Sequence, residues 1–229
     1  MRLQKCSASV HSRTVLFLLA AILLFGLSAV LGQVWAKKDY KEWAPKDCEK
    51  VLADSPWAKT MKYYGSGLGT AGTDGGQAFT EYTVQLFSAL PIRQAMVQGK
   101  LLPDSFLTAD YADQVIVRIK YRTTAGQTAD LDLGRQWQNQ TLGTMQNSTY
   151  LIGSKGVKVP LADFKVASGG DRFCQLAFPR SRDGKPVLSV EDKNLILQFN
   201  YPVVGGIGDG KGQFEFKVKD MIYSGQIAY

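Results

Sequence analysis

The chain has 229 residues, 27 basic against 20 acidic side chains, three cysteines and a single histidine, and 45% of it is hydrophobic. That length is enough for one domain with a proper core that needs no staples to fold. The positive excess is spread along the sequence instead of being gathered into a run, which argues against a nucleic-acid partner.

Arg2, Lys5 and Arg13 form a basic opening, residues 15–31 are an uninterrupted apolar run, and Lys37 and Lys38 end it. The stretch 1–36 therefore reads as a signal peptide or membrane anchor, with "VWA" (34–36) as the cleavage site and Gly32 as a second candidate. Seventeen apolar residues fall between an ordinary signal core and the shortest spanning helix, so both readings stand. Either one exports the rest of the chain to the periplasm or beyond, and contact with the membrane is expected only through residues 15–31 if they are retained. Cys6 precedes the apolar run and no cysteine follows it closely, so no lipid-anchored cysteine is expected. Loss of residues 1–36 leaves 193 residues, lowers the net charge from +7 to +4, and removes His11, the only histidine.

Residues 37–76 read as a helical cover and a connector. Pro45 suits a first helical position, and Cys48, Val51 and Leu52 share one helical face. A second helix is expected from Pro56, with Trp57, Thr60, Met61 and Tyr64 at helical spacing and Gly65 as its stop. "GLGTAG" (67–72) has the spelling of a dinucleotide-binding loop. That chemistry needs a buried strand before the loop and a helix N-terminus after it. With a helix expected before it and "TDGGQ" after it, the segment reads as a connector.

Residues 77–229 read as mainly β: an antiparallel β-sandwich behind short N-terminal helices. "FTEYTVQLF" (79–87) has strand composition, and a helix opens at Pro91 with Ile92, Ala95 and Met96 on one face. "VIVRIKYR" (115–122) and "QFEFKVK" (213–219) alternate apolar and charged residues, as strands do when one face is packed and the other wet. "STYLIGS", "GVKVP", "DFKVAS", "RFCQLAF", "NLILQFN" and "MIYSGQIAY" are further strand candidates, separated by turn formers such as "RDGKP". The basic outer faces of the alternating strands read as solvated surface.

No catalytic set assembles from these residues. Without histidine beyond His11 there is no Ser-His or Cys-His pair. Two cysteines and no imidazole cannot build a usual zinc site. "GGIGDGKG" (205–212) approaches a phosphate-binding loop, but Gly212 replaces the magnesium-binding hydroxyl and a strand follows where a helix should. No cofactor and no metal is expected. Paired carboxylates occur at Asp110/Asp113, Asp130/Asp132 and Glu191/Asp192, and a glycosidase needs only two carboxyl groups about 5–9.5 Å apart. Each pair sits beside a turn or strand end, where capping and solvation account for it.

The one ligand-binding candidate is "GRQWQNQT" (134–141). Trp137 stands among Gln136, Gln138 and Asn139 in a polar connection, where an exposed indole could stack on a sugar while amides bond its hydroxyls. The alternative is a tryptophan folded back onto the sandwich. Cys48 and Cys174 pair as a disulfide if the compartment is oxidising, or remain two buried thiols. Asn139 and Asn147 match the glycosylation triplet, which matters only in a eukaryotic source.

Four stretches together, "DYKEWAPKDCEKVLADSPWAKTM" (39–61), "YTVQLFSALPIRQAMV" (82–97), "FPR" (178–180) and "FKVKDMIYSGQIAY" (216–229), resemble a group of uncharacterised bacterial exported proteins. The resemblance implies export and a shared fold and assigns no catalytic or ligand-binding residue. The function expected is that of a non-enzymatic binding or assembly domain of the bacterial cell envelope, with an envelope protein or a glycan as partner. The alternative is a glycan-binding module or a carboxylate-based glycoside-active enzyme.

Overall fold

In "VIVRIKYR", Val115, Val117, Ile119 and Tyr121 are buried while Lys120 and Arg122 are exposed, so the sequence alternation becomes the two faces of a strand. The computed structural model describes residues 33–65, 72–73, 75–153, 155–168 and 170–229. These fall into two units, one ending at Asp39 and one spanning Tyr40–Tyr229.

The helices are α1 (Val34–Lys37) in the first unit, then α2 (Pro45–Ala53), α3 (Leu90–Gln98), α4 (Gln127–Gln138) and α5 (Leu142–Met145). The strands are β1 (Ala58–Tyr64), β2 (Phe79–Leu86), β3 (Gln114–Thr123), β4 (Tyr150–Gly153), β5 (Lys158–Pro160), β6 (Asp163–Val166) and β7 (Phe173–Pro179), followed by β8 (Ser181–Arg182), β9 (Lys185–Pro186), β10 (Asn194–Asn200), β11 (Lys211–Lys217), β12 (Ile222–Tyr223) and β13 (Gln226–Ile227).

The second unit is mainly β and antiparallel, an antiparallel sandwich of two sheets. One sheet runs β1-β2-β3-β7-β6 and the other β11-β10-β4-β5, with β8–β9 and β12–β13 as separate hairpins. Register puts Val84, Ile119 and Cys174 side by side on the inner face of the first sheet. Leu151, Leu197 and Phe214 line up in the same way on the second. The faces meet through aromatic rings: Tyr82 of β2 lies edge-on to Phe199 of β10, with centroids 6.2 Å apart. Burying each large apolar side chain there stabilises the fold by about 1.5–3 kcal/mol.

Helices α2 and α3 cover part of the outer face of the first sheet. Pro45 opens α2, and the Asp47 carboxylate accepts the Ala44 N–H at 3.1 Å, satisfying one of the helix's orphan donors. Gln85 on β2 donates to the Leu52 carbonyl at 2.7 Å. The expected one-sided burial of α3 is exceeded, because every residue from Pro91 to Val97 is buried.

The expected helix from Pro56 is strand β1, paired along its whole length with β2 from Ala58↔Gln85 to Tyr64↔Phe79. Its helical spacing was fortuitous. As an edge strand, β1 leaves Thr60, Met61, Lys62 and Tyr64 exposed, so no apolar alternation marks it. The segment "GLGTAG" lies outside the described residues apart from Gly72. Its flanks are two antiparallel strands, β1 and β2, whereas the nucleotide fingerprint requires a helix after the loop. The glycine-rich stretch between β10 and β11 is the loop the sequence suggested. Gly208 there has φ +79°, and an added Cβ would collide with the Tyr201 hydroxyl, so only glycine fits.

Candidate functional site: a basic cleft

Of the two readings of Trp137, a ligand platform or an indole folded back onto the sandwich, the structure has the second. "GRQWQ" is the second half of helix α4, not a polar connection. Ala129, Leu133 and Trp137 fall at i, i+4 and i+8, and Leu133 and Trp137 are fully buried. The indole stacks on Tyr121 at 5.4 Å, faces Phe164 at 6.5 Å and meets Tyr82 edge-on at 6.3 Å. No part of it is left for a sugar to stack on. Gln136, Gln138 and Asn139 are exposed on the far side of the helix end, away from any aromatic platform that Trp137 would supply.

Cys48 lies on α2 and Cys174 on β7, both buried and neither bonded to the other. Burial pushes both thiols above their ordinary range, Cys174 the further. Each acts as a small apolar side chain, and neither offers a reactive thiolate.

Four of the six paired carboxylates are held by nearby donors or cations. Asp110 accepts the Ala112 N–H at 2.8 Å. Asp130 pairs with Arg172 at 2.8 Å, and that guanidinium also donates to the Asp130 carbonyl while lying over Gly134, where any Cβ would displace it. Asp132 lies 3.4 Å from Arg135 on the same helix. Asp192 accepts from the Ser189 N–H at 2.7 Å and its hydroxyl at 3.2 Å, a turn cap. Among the described residues no three His, Cys, Asp or Glu side chains gather into a metal cage. Nor is any helix there long and apolar enough to cross a membrane.

A built concavity occurs instead where the β4–β5 turn faces the β8–β9 hairpin. It encloses about 810 Å³, within the size range of small-ligand sites. Lys155 and Lys158 contribute from one side, Arg182 and Lys185 from the other, with Val157, Pro186 and Val187 as an apolar strip. Arg182 Nη1 donates to the Lys158 carbonyl at 2.6 Å and ties the hairpin to β5. Lys158 Nζ sits 5.2 Å from the centre of the Tyr150 ring. The two acids in the lining are Asp192, spent on its turn cap, and Asp183, exposed and 3.8 Å from Arg182. Four cations against two anions leave the cleft positive. Lys155 and Lys185 have no carboxylate partner among the described residues.

None of these four cations stands among the residues singled out from the sequence, where "GVKVP" is a strand candidate and "RDGKP" a turn. The available signal was that both turns carry lysine or arginine on either side of glycine.

The chain matches no protein-family model, no curated protein and no solved structure.

Proposed function

We propose that this chain is an exported, non-catalytic binding domain of the bacterial cell envelope, and that it holds an acidic glycan in the cleft between the β4–β5 turn and the β8–β9 hairpin. The observation that carries the reading is the ring of four cationic side chains around a concave, partly apolar cleft. One sign of charge in a concavity focuses the field and raises the local concentration of an anionic ligand. The shape favours a glycan over the flat face of a protein partner, because a sugar chain carrying carboxylates can lay its apolar ring faces on Val157 and Val187. Export is supported by the basic opening, the apolar run at 15–31 and the resemblance to exported proteins.

The test is binding of the purified protein to polygalacturonate and to neutral dextran at rising salt. Polygalacturonate should bind and dextran should not, with affinity falling as salt screens the lysines. Lys155→Glu combined with Lys185→Glu should weaken binding by about tenfold or more. Equal binding of both polymers, or an unaffected double variant, overturns the reading. Selective capture of an acidic envelope protein with no glycan binding would make the domain a protein-binding module.

A further inference from the structure

A second concavity, sharing no residue with the basic cleft, lies where helix α4 meets the chain that leads into β7. It encloses about 330 Å³ and is walled by Tyr121, Leu131, Gly134, Gln138, Asp171 and Arg172. Gly134 shapes it. A glycine in mid-helix weakens the helix, and here the missing side chain lets the Arg172 guanidinium lie against α4. That guanidinium is held by the Asp130 carbonyl at 3.2 Å and the Asp130 carboxylate at 2.8 Å. The main-chain carbonyl of Arg172 accepts the Tyr121 N–H at 3.1 Å, so α4, β3 and the start of β7 are tied together around the cleft.

A polar group that the fold leaves unused stands at the bottom of this cleft. Tyr121 is 4% exposed, with its ring stacked on Trp137 at 5.4 Å. Its hydroxyl hydrogen-bonds to nothing among the described residues, yet that oxygen is not sealed from solvent. The small exposure that Tyr121 keeps therefore includes its hydroxyl, at the cleft that the residue lines. A phenol held this deep ordinarily has a partner. Burial keeps it protonated, and the charges of Arg172 and Asp130 act on it in opposite senses, which places it beside the ion pair at the cleft wall.

The charges of the wall decide what it can take. Arg172 is spent on Asp130, and Arg135, also in the lining, lies 3.4 Å from Asp132. Asp171 is exposed and makes no ion pair among the described residues. An anion would meet that carboxylate, and a cation would meet two guanidinium groups. A sugar hydroxyl both donates and accepts, and so suits a wall that mixes the Gln138 amide, the Asp171 carboxylate and a phenol. Leu131, 53% exposed, offers apolar surface to the C–H face of a ring. We propose that this cleft binds one neutral sugar ring, free or at a chain end, with the Tyr121 hydroxyl as its deepest contact. With under half the volume of the basic cleft it takes a single ring, so a long dextran, with few chain ends, hardly engages it.

The ¹⁵N-labelled full chain tests this through the amide resonances of Gly134 and Asp171. The probes are D-galactose, D-mannose and N-acetyl-D-glucosamine, with D-glucuronate as the anionic and D-glucosamine as the cationic comparison. At least one neutral sugar should shift both resonances saturably and bind more tightly than either charged sugar. Tyr121→Phe removes the hydroxyl alone, keeps the stacking on Trp137, and should weaken binding by about fivefold to tenfold. Gln138→Ala is the second variant: the side chain is exposed, so the fold is untouched, and binding should weaken by about threefold or more. No saturable shift at concentrations up to about 50 mM overturns the proposal. So does tighter binding of D-glucuronate or D-glucosamine, or an affinity unchanged by Tyr121→Phe or, should that variant fail to fold, by Gln138→Ala.

Discussion

The aromatic interior and the basic cleft divide the side-chain chemistry of this chain between them. In the interior, Tyr82, Tyr121, Trp137 and Phe199 pack with their rings in contact, and burial favours the uncharged form of every titratable member. Tyr121 and Tyr201 are each pushed up to about 12, and Tyr82 further still, with desolvation the leading cause in all three. At the cleft the reverse holds: lysines stand in solvent and make no ion pair among the described residues. The Trp137 indole is committed to the core, so the proposed recognition rests on charge and shape.

The largest effect should come from the interior. Trp137→Ala removes a fully buried indole that touches both sheets, and should cost about 3–5 kcal/mol in urea unfolding. A loss below about 1 kcal/mol would mean that the indole is not a core member and would erase the contrast.

The next effect is one of pH. A tyrosine whose pKa is raised on folding holds its proton when the unfolded chain has already lost it. Its contribution is therefore complete below about pH 10 and fades as pH rises toward the folded value. Tyr121 and Tyr201 should each cost about 1.4 kcal/mol per pH unit between about 10 and 12. Unfolding midpoints measured across that window should fall steeply in the wild type and less steeply in Tyr121→Phe. A flat profile would show that the phenols are hydrated.

Gly208→Ala should follow, at about 1–3 kcal/mol, because it forces a side chain into a left-handed backbone and against Tyr201. Loss of stability should come with loosening of the loop that the Tyr201 hydroxyl ties to Asp209, at 3.2 Å, visible as faster hydrogen exchange at Lys211, whose N–H is held by the Asp209 carboxylate at 3.0 Å.

What could be read in the sequence follows the same division. Strands with one packed face declared themselves, since Val115, Val117, Ile119 and Tyr121, or Phe214 and Phe216, alternate with charged residues. Strand β1 did not, because an edge strand with most residues in solvent has no alternation to show and is held by its pairing with β2. Helix α4 was obscured by its polar outer face: "TADLDLGRQWQ" shows only a narrow stripe of Ala129, Leu133 and Trp137, interrupted by Gly134, whose missing side chain makes room for Arg172. The proposed binding cleft was illegible for a further reason: Lys155 and Lys185 are some thirty positions apart, and only the fold brings them to one concavity.

The smallest expected change in stability is the one that separates the two regions most sharply. Lys155 and Lys185 are exposed and make no ion pair among the described residues, so their replacement by glutamate removes no packing and leaves no buried group unsatisfied. Stability should shift by no more than about 0.5 kcal/mol, as is usual for surface positions without such features. Polygalacturonate binding should nevertheless drop by about tenfold or more, since each reversal replaces an attraction with a repulsion in the same concave field. If both urea stability and binding fell together, the two lysines would belong to the structural framework of the β4–β5 turn and the β8–β9 hairpin. The charge of the cleft would then be a by-product of folding and not the means of recognition.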